Sequence, residues 1–187
     1  MNTSDTTNTN DAENNATLSN AIEPTWLLKT GSAPKLGKHA EGDISYQILT
    51  DSSRAEPMIR IIGNDGGGYY SKEVLPFRNV EVCIDKHELD QPLPSKLFQP
   101  AFTGKSSNNA GFLAAILRAE RLLSAAPEVE GRHIIAGNWA EWKTSLLALP
   151  GLLIETNAAP EKETSKNGKG AADSEVSNAA ETSRRKK

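Results

Sequence analysis

One cysteine, Cys83, in 187 residues excludes an internal disulfide and any zinc site built from several cysteines, which suits a reducing compartment. No stretch approaches the roughly 18 consecutive apolar residues of a membrane span. The longest candidate, Leu146 to Ile154, is broken by Pro150 and Gly151. The first twenty residues have neither a basic start nor an apolar run, so no signal or transit peptide is expected. These absences make the cytoplasm the expected location and exclude the membrane as an expected partner.

The tails have few apolar residues. Of the Leu, Ile, Val, Met, Phe, Trp, Tyr and Cys residues, all but Met1, Leu18, Ile22 and Val176 lie within 24–155. Residues 1–23 and 156–187 therefore read as disordered tails, polar and charged respectively, around a single globular domain over 24–155. Net charge is −4 over 1–23, −1 over 24–155 and +2 over 156–187. A domain near neutrality lacks the broad basic field of a strong duplex-DNA binder. Arg184 and Arg185, in the final basic cluster, could add attraction to phosphates.

Ile44, Tyr46 and Ile48 alternate with Ser45 and Gln47, the period of a half-buried strand. Met58 to Ile62 reads as its hairpin partner, with Asp51-Ser52-Ser53 supplying turn chemistry between them. Gly63-Asn64-Asp65-Gly66-Gly67-Gly68 should reverse the chain into a third strand over Tyr69 to Leu75. The alternation of Val80, Val82 and Ile84 predicts a fourth, and Arg132 to Ala136 a fifth. Trp26-Leu27-Leu28 reads as an arm on the domain, and the proline-containing stretch His87 to Gly104 as an irregular surface connection.

Two helices are expected. Asn109 to Ala125 follows capping residues and is ended by Pro127; Trp139 to Leu149 is capped by Asn138 and stopped by Pro150-Gly151. The fold class is thus α+β, a mostly antiparallel sheet of about five strands with two helices on one face. Four strands followed by a long helix resembles the order of small single-stranded nucleic-acid-binding folds, a likeness of fold alone.

Glu120 lies inside the apolar arc of the first helix, between Ile116 and Leu113, whereas Arg118 and Arg121 face away. A carboxylate there should be buried and bonded, or sit at a titrating site; Lys143, on an apolar side of the second helix, is its candidate partner. Gly104-Lys105-Ser106 looks like the end of a phosphate loop, but Gln99 stands where the motif needs glycine, leaving a helix cap or a phosphate contact through Lys105. Trp139 and Trp142 share a helix face and read as core packing. His39, His87 and His133 fit no metal spacing, and His133 reads as a core histidine with a bonded ring. Carboxylates beside Cys83 would discourage a nucleophile, and no serine sits in a nucleophile elbow.

Gly66 to Lys72 sets two tyrosines and a cation beside a flexible turn, suited to stacking an unpaired base and holding a phosphate. The residues expected to touch single-stranded nucleic acid are Tyr69, Tyr70, Lys72, Arg78, Lys105, Arg184 and Arg185. The expected function is a non-enzymatic binding or regulatory accessory protein, with no catalytic residue, cofactor or metal. The alternative is a protein-interaction module whose tails bind partners, with no nucleic-acid ligand; an enzyme built around Glu120 comes third.

Overall fold

A computed structural model describes residues 25–154. The two expected tails, with Arg184 and Arg185, lie outside the described residues. The described chain is α+β, built on a five-stranded antiparallel sheet and a smaller three-stranded one. Strands β1 (Thr25–Pro34), β2 (Asp43–Asp51), β3 (Met58–Asn64) and β4 (Val74–Pro76) lie in the larger sheet. Its order is β4-β3-β2-β1-β8, with β8 (Leu152–Ile154) on the far edge. The smaller sheet has the order β5-β7-β6, from Leu93–Pro94, Arg132–Ile135 and Leu123–Ala125. Helices are α1 (Phe77–Ile84), a 3-10 helix (Ser95–Ala101), α2 (Asn109–Ala119) and α3 (Trp139–Leu147).

The alternation in β2 sends Ile44, Tyr46 and Ile48 inward, where they meet Ile59 and Ile61 of β3 across the expected hairpin. Phe77, Phe98, Leu113, Ile116 and Leu117 close this core from the helical side. Five fully buried side chains of that size contribute roughly 1.5–3 kcal/mol each by removal from water. The core, not local propensity, holds the short helices in place.

Several expected elements differ. Trp26-Leu27-Leu28 is no arm but the start of β1, an interior strand of the larger sheet. A bulge between Leu27 and Lys29 inserts Leu28 and breaks the period-2 pattern that would have revealed it. Gly31 is required within the strand. A Cβ there would lie 2.5 Å from the Tyr46 phenol oxygen.

The strand expected at Val80–Ile84 is helix α1. Its alternation is coincidental: Phe77 and Val80, three apart, are fully buried while Val82 is 74% exposed. The strand expected over Tyr69–Leu75 contracts to Val74–Pro76. The connection after His87 is not purely superficial, because its Leu93 and Phe98 are completely buried. The strand near 132–136 exists, but in the smaller sheet.

Helix α2 stops six residues before the expected Ala125. Arg121 adopts a left-handed conformation at φ 62, its N–H bonds the Arg118 carbonyl, and the Leu122 N–H reaches back to the Leu117 carbonyl at 2.8 Å. That is a Schellman ending with arginine where glycine is usual. The signal was therefore absent from the residue types. Helix α3 begins as expected, the Asn138 side chain accepting from the Glu141 N–H at 3.1 Å. Arg54 then ties down its other end, donating to the carbonyls of Leu147, Leu149 and Pro150.

Candidate functional site

Tyr69 stands out from the surface with 76% of its area exposed. The loop that carries it is not a strand but a chain path pinned from several sides. Gly66, Gly67 and Gly68 all have positive φ, between 77 and 94, a run that residues with a Cβ seldom adopt. The Asn64 amide holds the carbonyls of Gly67 and Gly68. The Tyr69 carbonyl receives the Ser106 hydroxyl at 2.8 Å and the Asn108 amide at 2.9 Å. The Ser71 N–H donates to Asn109 Oδ1 at 3.0 Å. Anchoring thus runs through the main chain, leaving the Tyr69 ring outward. Tyr70 is half-buried and packs against the core.

Lys72 and Lys105 are exposed on the two segments so joined. Glu73 links them again, accepting from the Thr103 and Gly104 N–H groups at 3.0 Å each. Burial pushes the Glu73 carboxyl up, but hydrogen bonds from Ser71, Thr103 and Gly104 outweigh it and hold the group below the usual range. Of the Gly104-Lys105-Ser106 run that resembled a phosphate loop, the Gly104 amide is thus occupied by the chain's own carboxylate. Gly104 is required at this crossing, since a Cβ would lie 2.6 Å from Ser71 Oγ.

Arg78 takes a different role. It lies on α1 and pairs with Glu56 at 2.5 Å, so its charge is matched in place. Lys35, which the residue pattern did not single out, reaches the Asp65 carbonyl beside the glycine run. The β1–β2 pairing delivers it there, so finding it required recognising β1 as a strand.

Glu120 forms a second polar centre. Its side chain is 3% exposed and bonds Lys29 at 2.7 and 2.9 Å, the Tyr46 hydroxyl, and Trp142 Nε1 at 3.0 Å. Burial raises the carboxyl, but the donors Lys29, Tyr46 and Trp142 hold it below its ordinary value. Tyr46 is raised well above the usual phenol range, first by its own burial and then by the Glu120 bond. The expected partner Lys143 is instead bound to Glu81 at 2.6 Å. An open groove of about 410 Å³, lined in part by Glu120, Arg121, Asn138, Glu141 and Trp142, adjoins the cluster. With four donor contacts on its two oxygens, this carboxylate is a poor proton acceptor and a strong tie between β1, β2, α2 and α3.

The tryptophans serve the core. Trp142 and Trp139 pack on Phe77 with ring centroids 4.6 and 5.4 Å apart. Cys83, on a helix rather than a strand, has its thiol raised by burial, not by neighbouring carboxylates. His133 is 1% exposed with Nε2 at 2.8 Å from Ser95 Oγ. Among the described residues no group of three or more His, Cys, Asp or Glu gathers to hold a metal, and no helix is long and apolar enough to cross a membrane. No protein-family model, curated protein or solved structure matches the chain.

Proposed function

We propose that the protein is a non-enzymatic accessory factor that contacts single-stranded nucleic acid through the loop carrying Tyr69. The observation that carries the reading is the 76% exposure of a tyrosine whose backbone is fixed by two side-chain donors. An aromatic ring held outward on an anchored loop loses little freedom when a base stacks on it. Such stacking contributes roughly 1–3 kcal/mol per base and tolerates any sequence. Lys72 and Lys105, exposed on the two segments joined at this loop, supply point charges for the backbone phosphates. Tyr70 supports the loop from the core side and Arg78 contributes little, given its pairing with Glu56. Arg184 and Arg185 add a salt-sensitive attraction from the C-terminal segment.

A near-neutral domain makes this a modest binder that prefers single strands to duplex. Fluorescence-anisotropy titrations of the full chain with single-stranded and duplex oligonucleotides, at two salt concentrations, test it. Salt-sensitive binding of the single strand at micromolar protein supports the reading; absence of such binding removes it.

A protein-interaction module is the second reading, favoured by the sheet edge. Strand β8 leaves Leu152 65% and Leu153 54% exposed and pairs only with β1 among the described residues. It has none of the charged residues that usually guard an edge.

A further inference from the structure

We propose that Ser95 is an activated nucleophile, with His133 as its general base, that accepts an acyl group from small electron-poor esters. The smaller sheet assembles the pair. His133 sits on its middle strand, opposite Leu93 of β5 and Ala125 of β6, and this holds its ring in the interior. Ser95 follows β5 directly, as the first residue of the 3-10 helix, and is partly accessible. Its Oγ lies 2.8 Å from His133 Nε2, within reach for proton transfer.

The other ring nitrogen, Nδ1, is buried and has no hydrogen-bond partner among the described residues. Buried polar atoms are nearly always paired in folded proteins, so hydrogen bonding alone does not explain this ring position. Burial first, and then the positive charge of Arg118, keep the imidazole neutral below its ordinary pKa. A neutral ring with its proton on Nδ1 presents the Nε2 lone pair to the serine hydroxyl. No carboxylate steadies the imidazole as in a full triad. Arg118 is instead the charge acting on the ring, and it favours the neutral, proton-accepting form of the imidazole.

The reaction balances without a cofactor. Ser95 Oγ attacks the ester carbon while its proton passes to His133 Nε2. The adduct collapses, the bond from carbon to the leaving oxygen breaks, and that oxygen takes the proton from Nε2. An acyl-Ser95 ester and an alcohol or phenol result. The partial exposure of Ser95 restricts the acyl group to small ones.

The test is incubation of the full chain with p-nitrophenyl acetate, following nitrophenol release and mapping the acetyl group by peptide mass spectrometry. Ser95 should be acetylated about a hundredfold faster than any other serine or threonine. The rate should be half-maximal at a pH below about 6.5, the ordinary histidine value. Ser95→Ala should abolish that adduct with an unchanged circular-dichroism spectrum, and His133→Gln should slow it about a hundredfold. Acetylation confined to lysines, an unlabelled Ser95, or a pH profile that rises only in the lysine range overturns the proposal. The wild-type pH profile decides the matter even if His133→Gln fails to fold. Nucleic-acid binding plays no part in this outcome.

Discussion

Glu120→Ala should destabilise the domain by about 3 kcal/mol, and the geometry shows where the cost arises. The Glu120 side chain is 3% exposed and accepts from three residues on three different elements. Removing it leaves the Tyr46 hydroxyl and the Trp142 indole N–H without their acceptor. Tyr46 is 2% exposed and Trp142 half-buried, and orphaning a buried donor costs about 1–3 kcal/mol. Lys29 contributes less, because at 42% side-chain exposure its ammonium can return to water. A fully buried ion pair losing one partner would cost about 3–5 kcal/mol, so the lower end applies. Glu120→Gln keeps one acceptor oxygen but turns an N–H group toward the remaining donors, and should cost about 1–2 kcal/mol. Tyr46→Phe removes one donor and leaves the carboxylate with the others, at about 1 kcal/mol. Urea titrations of the three variants, extrapolated linearly to water, read these values. Glu120→Ala within about 0.5 kcal/mol of wild type would show that the cluster ties nothing together.

Ile116→Ala should cost about 2–5 kcal/mol, since Ile116 is fully buried. Arg121→Gly should instead gain about 1 kcal/mol by relieving the left-handed conformation at φ 62, and the same urea titrations compare the two. Gly31→Ala should lose about 1–3 kcal/mol, because the new Cβ meets the Tyr46 ring and pushes the hydroxyl from Glu120; a thermal melt reads it. Stability should fall with acid in two windows. The buried His133, depressed in the folded state, loses its contribution as pH drops below about 6.5, and Glu120, also depressed, as pH drops below about 4.3. Urea midpoints against pH should show the lower window removed by Glu120→Gln.

Residue pattern revealed the β2–β3 hairpin because strict alternation and a polar turn act locally, and the Asn138 cap for the same reason. It hid β1 because the extra residue Leu28 breaks the period and Gly31 answers to Tyr46, a contact made only across the sheet. Helix α1 was mistaken because three apolar residues two apart outweighed the wider spacing of Phe77 and Val80. The end of α2 was invisible because arginine occupies the left-handed position.

Burial of Glu120 followed from helical phase, but its partners did not. Lys29 belongs to the missed strand, and Tyr46 is 74 residues away in sequence. Lys143 was the nearer guess and found Glu81, a residue of the helix mistaken for a strand. At the candidate interface, the two tyrosines and the cation beside a flexible turn were legible, but which ring faces outward was not, because the segment is a loop and not the expected strand. The anchoring of Tyr69 by Ser106 and Asn108 was not legible either, since it joins loops more than thirty residues apart.

The proposed contact is a stacking surface that Tyr69 presents to unpaired bases. Its most direct test is the affinity of Tyr69→Ala for a fluorescein-labelled single-stranded oligonucleotide, measured by anisotropy beside the wild type and beside Lys72→Ala. Tyr69→Ala should weaken binding by roughly 1–3 kcal/mol with an unchanged melting temperature, and Lys72→Ala should flatten the salt dependence. Wild-type affinity in Tyr69→Ala at both salt concentrations would contradict the claim.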